Sequence, residues 1–566
     1  MSRAKETTSS LPSPERSRRP AVTVFALMLA VAGMLSMGVS SATADTPAPG
    51  SGAGGRIVHT MNGTVAGTTT DSYRSFEDIP FAKAPVGPLR WKPPQPAASW
   101  SGVRDATAPG PACTQTGGSG TSSSEDCLNL NVWTPADAHP GSKLPVAVWI
   151  YGGAYRSGSS SSYQPVSMVD QGDMLVVTIN YRLGAMGFLT LPQLDKDNGA
   201  PSGDYGLLDQ IQALHWVRQN VAQFGGDPSR VMIAGQSAGG ESVCTLLASP
   251  KAAGLFSRAV VESGLTCIEA DRKDAQRNDA AFVTDAGCDS SAAAAAVMAC
   301  LRHKSPAEIL AAQTAAGQIW YPTTQVPALP EQAPVAFATA AFNHVPVLIG
   351  TTGDEGASFI YSATDAVGKP VTAATYRSDI QASFGATAPQ VLDHYPLGDY
   401  SVPGAAEAQI KTDVAFTCPM LSNAASLTAA VPTYVYEFRD TTAAGNIDGG
   451  PEHAAELPYL WGTKDSATLT DEQRQLSHAM IAYWAAFART GTLAAHGLPP
   501  VPHYAPATPH EIAFNSDGPA LVSDTARNHQ CGYWDSYFTD GFPFHFSPGS
   551  PLTFPSNDQL PPRQSR

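Results

Sequence analysis

Gly235-Gln236-Ser237-Ala238-Gly239 constrains this 566-residue chain more than any other stretch. The run before it, Arg230-Val231-Met232-Ile233-Ala234, is apolar and partly β-branched and predicts a buried strand. The run after it, Gly240 to Leu247, predicts a helix. Strand, G-x-S-x-G, helix demands a tight turn, and glycine on both sides of the serine leaves room for it. A serine on such a turn points its hydroxyl out from the edge of the sheet. The helix that starts there aims backbone N–H groups, and the positive end of its dipole, at any nearby anion. The bare pattern also fits a glycine-flanked serine in an ordinary turn, so the rest of the chain must decide.

Upstream, Arg56-Ile57-Val58-His59 and Thr64-Val65-Ala66-Gly67 flank Asn62-Gly63, which predicts a two-residue hairpin. Asn62-Gly63-Thr64 also fits a glycosylation sequon. The prolines of Asp78 to Trp91 predict an ordered crossing without regular structure. Leu128 to Trp133 alternates apolar and polar residues and predicts a strand. Pro145-Val146-Ala147-Val148-Trp149-Ile150 is continuously apolar, the pattern of a strand covered on both faces. It runs into Tyr151-Gly152-Gly153-Ala154-Tyr155, where small residues let backbone N–H groups face a bound atom; a plain glycine loop is the other reading. Met174 to Arg182 and Val345 to Gly350 predict further buried strands, and Tyr205 to Val217 a helix. Strands alternating with helices indicate a mainly parallel sheet in one large α/β domain.

The ends of the chain read differently. Residues 1–20 are polar and basic, Ala21 to Val39 is apolar, and Ala42-Thr43-Ala44 offers a cleavage site. This order predicts a secretory signal over 1–44, although the apolar run is nearly long enough for a membrane anchor. Residues 45–55 predict a flexible linker, and cleavage after Ala44 would leave no stable membrane association. Arg18-Arg19 matches a twin-arginine signal poorly, so the general export route is expected. Five Lys/Arg and two Glu give the first 44 residues a net of +3; with −15 for the whole chain, the remainder is near −18. Such a chain repels nucleic acid and anionic membrane and has no basic run to counter this. Eight cysteines in an exported chain suggest disulfides. The helix-rich stretches Ala270 to Gln332 and Tyr361 to Leu427 read as insertions that build the pocket walls. The helix ending at Arg489-Thr490 is closed by Gly491. Residues 541–566 form a Pro-rich tail.

Four stretches carry a specific resemblance: Glu125 to Val132, Trp149-Ile150-Tyr151-Gly152-Gly153-Ala154, Asn180-Tyr181-Arg182, and Gly225-Gly226-Asp227-Pro228 leading to Gly235 to Gly240. From Arg56 to Phe538 the chain resembles the type-B carboxylesterase family of the α/β-hydrolase fold, which includes cholinesterases, fungal lipases and bacterial carboxylesterases. The resemblance implies a hydrolase domain over 56–540, with a central, mostly parallel twisted sheet flanked by helices. It implies Ser237 as nucleophile and the N–H groups of Gly153, Ala154 and Ala238 as oxyanion donors. Most relatives carry three glycines where this chain has Gly152-Gly153-Ala154; alanine keeps its N–H, and its methyl group narrows the acyl side. Gln236 replaces the family's usual Glu, which removes a negative charge beside the reacting centre. The local field then favours a cationic substrate less and could hold the base less firmly in its charged form.

The family match places the acid at Glu355, at the end of a strand where α/β active sites lie; on chemistry alone neighbouring Asp354 could serve. His453 matches the family's histidine loop, with Glu456 three residues on. The order Ser237, Glu355, His453 is nucleophile, acid, base. Ser263 aligns with a serine that helps hold the acid in place. The resemblance pairs Cys113 with Cys127, Cys288 with Cys300, and Cys418 with Cys531. Cys244 and Cys267 are left as a fourth bridge, or Cys244 as a buried free thiol. The implied protein is a secreted, monomeric ester hydrolase that acts on a small-molecule ester without metal or cofactor. A lipase for longer chains, amide or carbamate cleavage, and a non-catalytic module on the same fold are the rival readings. The loop between Cys113 and Cys127 is short and has no aromatic residue, unlike the choline-binding loop of cholinesterases. Neutral short- or medium-chain esters are therefore expected, unless a tryptophan such as Trp320 fills that place.

Overall fold

The computed structural model describes residues 55–538 except 117–122, 268, 318–319 and 444–449. The chain separates into two compact units, Met1–Gly52 and Ala53–Arg566, and every described residue lies in the second. The signal read at 1–44, the linker at 45–55 apart from its last residue, and the tail at 541–566 lie outside the described residues.

Along the strand Leu144–Ile150, Val146, Val148 and Ile150 join one core while Ala147 and Trp149 join another. Both faces are covered, which is why this run is apolar without alternation. The helices Tyr205–Asn220 and Ala238–Ala248 pack into the first core through Leu214, Val217, Val243 and Leu247. The helix Asp471–Thr490 packs into the second through Leu476, Met480 and Trp484. Between them lies an 11-stranded sheet. In spatial order its strands are Gly518–Val522, Glu511–Asn515, Thr433–Arg439, Val347–Thr352, Arg258–Glu262, Gly226–Gln236, Leu144–Ile150, Leu175–Ile179, Asn129–Pro135, Tyr73–Pro80 and Thr68–Thr69. Neighbours from Glu511–Asn515 to Leu175–Ile179 run parallel, and the flanking pairs are antiparallel. This is the α/β-hydrolase architecture, a mostly parallel sheet between helical layers.

The register sets which residues share the functional edge. Gly235 stands beside Ile150, Gln236 beside Glu262, Glu262 beside Gly350, and Thr352 beside Phe438. The loops after these strands therefore open on one side of the sheet.

Two early elements differ from expectation. His59 pairs with Thr64, so Thr60 to Gly63 form a four-residue loop, closed by Thr60 N donating to Gly63 O at 2.9 Å. The Thr60 hydroxyl stabilises it by donating to the same oxygen. The strand Tyr73–Pro80 extends into the stretch read as irregular. Its register shifts between Phe76 and Ile79, and Pro80 comes last, where its missing N–H costs no central ladder bond.

The insertions are helical as expected. The helix Pro306–Ala316 shows why: Ser305 and Glu308 form a capping box, proline takes a first-turn position, and Gly317 turns left-handed at the end. Four disulfides are present: Cys113–Cys127, Cys244–Cys267, Cys288–Cys300 and Cys418–Cys531. The second answers the question that spacing left open. It ties the helix Ala238–Ala248 to the loop that follows Arg258–Glu262.

Candidate active site

Ser237 sits at φ 59° and ψ −127°, between the end of its strand and the start of its helix. A non-glycine residue held there is strained by about 1–3 kcal/mol. The surroundings leave little choice. A Cβ placed on Gly235 would stand 2.4 Å from Gly239 O, and one on Gly239 would stand 2.0 Å from Ile150 O. Ser237 N donates to Glu262 O at 2.9 Å, and Glu241 N donates back to Ser237 O at 2.9 Å. The side chain is left half-buried at the sheet edge.

The glycine loop lies directly against this turn. A Cβ on Gly152 would come within 2.8 Å of Ser237 Cβ. Gly153 at φ 114° and Ala154 at φ 53° carry the chain past it. The amides of Gly153, Ala154 and Ala238 donate to no acceptor among the described residues. Ala238 opens a helix, whose first N–H groups have no partner within it.

His453 comes from a loop stitched to the acid turn. Asp354 N donates to Pro451 O at 3.0 Å, and Gly353 N donates to Phe438 O at 2.9 Å. This brings His453 Nδ1 to 2.5 Å from Glu355 Oε2. It is Glu355, not Asp354, that meets the imidazole. Thr352 N holds the other oxygen, Oε1, at 2.8 Å. On its far side His453 Nε2 lies 3.3 Å from Gln236 Nε2. No hydrogen bond joins Ser237 Oγ to the ring among the described residues.

Ser263 aligns with a serine that helps hold the acid in place. Its Oγ is buried without a hydrogen-bond partner among the described residues, and its backbone N donates to Gly350 O at 2.8 Å. It is the Thr352 amide that donates to the acid. Beneath the site lie further carboxyls. Burial pushes Glu262 up to about 8, although Trp484 and Trp461 both donate to it. Burial, then repulsion from Glu262 and Glu355, holds the Glu456 carboxyl well above the usual range. Among the described residues neither Glu456 oxygen has a hydrogen-bond partner beyond its own backbone. Burial at this depth favours the neutral form of such a carboxyl.

The sequence reading missed what packs on the imidazole. Phe359 lies 5.0 Å and Phe416 5.3 Å from the His453 ring, centre to centre. Phe359 stands four residues after Glu355, on the helix Gly356–Ala363, a spacing that could have marked it. Phe416 belongs to a π-helical turn, Asp413–Thr417, and only tertiary packing brings it here. Trp320 packs edge-on against Phe282 of the helix Arg272–Asp285, with ring centres 5.5 Å apart. Among the described residues no cluster of three His, Cys, Asp or Glu side chains is disposed to hold a metal ion.

Comparison with known proteins agrees with this geometry. A model described as "Carboxylesterase family" matches residues 54–534. Para-nitrobenzyl esterase of Bacillus subtilis (strain 168) is 36% identical over 456 residues, covering 77% of this chain and 90% of its own. Cocaine esterase of Homo sapiens is 34% identical over 521 residues, covering 85% and 89%. A solved structure titled PNB esterase superposes with a TM-score of 0.73 at 34% identity, over 84% of this chain and 99% of its own. Sequence and fold coincide along the same stretch, and the protein is a member of the carboxylesterase family, a carboxylic-ester hydrolase.

Proposed function

We propose that ester hydrolysis runs through Ser237 as nucleophile, His453 as general base and Glu355 as the acid that orients and charge-balances the base. Ser237 Oγ attacks the ester carbonyl and its proton passes to His453 Nε2. The amides of Gly153, Ala154 and Ala238 receive the developing oxyanion, each such donor lowering the barrier by about 3 kcal/mol. His453 then protonates the leaving alcohol, and water activated by the same ring releases the acyl group. The observation that carries this reading is the 2.5 Å contact between His453 Nδ1 and Glu355 Oε2, beside a serine on a strained turn. A buried carboxylate on Nδ1 fixes the tautomer whose Nε2 can take a proton.

The proposed substrates are neutral esters with short or medium acyl chains. The loop between Cys113 and Cys127 has no aromatic residue, and Gln236 carries no charge. The proposal extends to export: residues 1–44 as a cleaved signal, 45–55 as a linker, 56–540 as the catalytic domain, and a secreted monomer. Disulfides suit that route.

The test is an acyl-chain and alcohol-group screen on mature protein, with Ser237→Ala as the blank. Ser237→Ala and His453→Ala are each expected to lower kcat by about four orders of magnitude or more while the fold persists. Near-normal hydrolysis by either variant would overturn the assignment. A choline ester favoured more than about tenfold in kcat/KM over its neutral counterpart, roughly 1.4 kcal/mol, would overturn the substrate class.

A further inference from the structure

Gln236, just before the nucleophile, is buried and touches the ring of His453 through its carboxamide. The contact has a definite polarity. Nδ1 meets a carboxylate at 2.5 Å, so Nδ1 carries the ring's proton and Nε2 presents a lone pair. An amide nitrogen 3.3 Å away is then the donor. The other end of the carboxamide is less tied: Oε1 makes no hydrogen bond to the described residues. It faces the glycine loop, where a Cβ on Gly152 would stand 3.3 Å from it. Turning the amide over therefore breaks one contact and no second hydrogen bond.

We propose that Gln236 is a positioning residue that holds His453 at Nε2 in both protonation states of the ring, donating from its amide nitrogen to the neutral ring and accepting through Oε1 from the charged one. This rests on His453 being the general base. In the resting enzyme the long amide contact holds the Nε2 edge of the ring in place, and it yields the lone pair to Ser237 Oγ–H as the proton transfers. When the serine proton passes to Nε2, the ring carries a proton on each nitrogen, and the turned amide presents Oε1 to the new N–H. That proton then leaves with the alcohol, and Gln236 neither gains nor loses one. A glutamate here could only accept, so it would serve the charged ring alone.

Among the described residues few other charged or titratable groups surround the imidazole and its acid; the buried phenol of Tyr436 is one of them. Glu355 meets Nδ1, Asp354 precedes it on the same turn, and Glu456 and Glu262 lie buried beneath. Lys411 sits 5.0 Å over the Phe359 ring, whose centre is 5.0 Å from that of the imidazole. A change of charge at Gln236 is thus read by the base directly.

The experiment compares Gln236→Glu and Gln236→Met with the parent, recording kcat and kcat/KM on one neutral ester from pH 5 to 9. Active sites are counted by stoichiometric phosphonylation, and thermal unfolding confirms the fold. Gln236→Glu is expected to move the acid limb of kcat/KM to higher pH by about one unit. Gln236→Met, of similar volume but unable to donate or accept, is expected to lower kcat about tenfold with KM within twofold and the acid limb in place. Unchanged kcat in Gln236→Met together with an unmoved limb in Gln236→Glu would overturn the proposal. An equal shift of the limb in both variants would also overturn it, because packing alone would then explain the effect. Were Gln236→Met not to fold, the limb in Gln236→Glu would still decide. His453→Ala, run alongside, separates the two readings. If it is active, the base assignment fails and this proposal with it; if it is inactive and the Gln236 variants are silent, only the role of Gln236 fails.

Discussion

Ala154 holds a backbone conformation that its own methyl group disfavours, φ 53°, beside the nucleophile. A left-handed alanine costs about 1–2 kcal/mol, part of which glycine would return as lost chain entropy. Ala154→Gly is therefore expected to leave unfolding free energy within about 1 kcal/mol and to widen the acyl side. Its kcat/KM should rise for branched acyl groups and stay within about threefold for acetate, a comparison of two esters that checks it. Glu355→Gln is expected to keep the fold but lower kcat by about four orders of magnitude, because an amide at Nδ1 no longer fixes the tautomer. At this scale the sequence was most legible where chemistry is local. The glycines around Ser237 are dictated by close approach, and their spacing can be read without a structure. Asp354 and Glu355 could not be separated by chemistry, because a bond between two distant loops decides which side chain reaches the ring. The partner of the second Glu355 oxygen was not legible for the same reason: it depends on where Thr352 N–H points.

Among the elements, the strand Thr433–Arg439, the π-helical turn Asp413–Thr417 and the chain after the short helix Thr525–Asn528 meet at one buried imidazole. His529 donates to Asp413 at 2.6 Å and to Glu437 at 2.9 Å. Burial alone would lower this histidine, but the two carboxylates outweigh it and raise it to about 10. Its ordinary value is about 6.5, so its contribution to stability is complete below that pH and fades as pH rises toward 10. His529→Gln would leave the buried Asp413 carboxylate without a cation, while Glu437 would keep only Arg439. The substitution is expected to cost about 3–5 kcal/mol at pH 6, read from urea unfolding, and less at pH 9. The disulfides give a second comparison at this scale. Cys418–Cys531 spans 113 residues and Cys288–Cys300 only 12. Opening the longer closure should destabilise by about 1–2 kcal/mol more, if chain entropy governs. Calorimetry on paired Cys→Ala variants tests that order. Central strands were legible because burial on both faces leaves an apolar run. The hairpin was not, because Thr60 enters the loop through its own hydroxyl and shifts the register that Asn62-Gly63 suggested. The strand through Pro80 was hidden because a proline at a strand's last position looks, in sequence, like a breaker.

The whole molecule is acidic, with a net charge of −15, yet burial favours the neutral form of several of its carboxyls. Burial raises Asp204 to about 7 and Glu262, Glu269 and Glu407 to about 8. Each keeps a proton in the fold that the unfolded chain loses above its ordinary value near 4, so stability falls as pH rises from there toward 8. His529 acts in the same direction between 6.5 and 10. Lys411, lowered to about 7 by burial, acts against them. The acids outnumber it, and thermal midpoints are expected to be highest near pH 4–5 and to decline toward pH 9; a flat profile would contradict this burial of raised carboxyls. The loops that meet at the functional edge also come from far apart in the chain: residues 152–154, 237, 355 and 453 reach it from four separate strands. No short fragment contains them, and the parallel pairings between those strands close long loops. Such non-local pairing is slow to form compared with helices. On refolding with its disulfides intact, the protein should regain helical circular dichroism first, and its esterase activity should return only with the last kinetic phase.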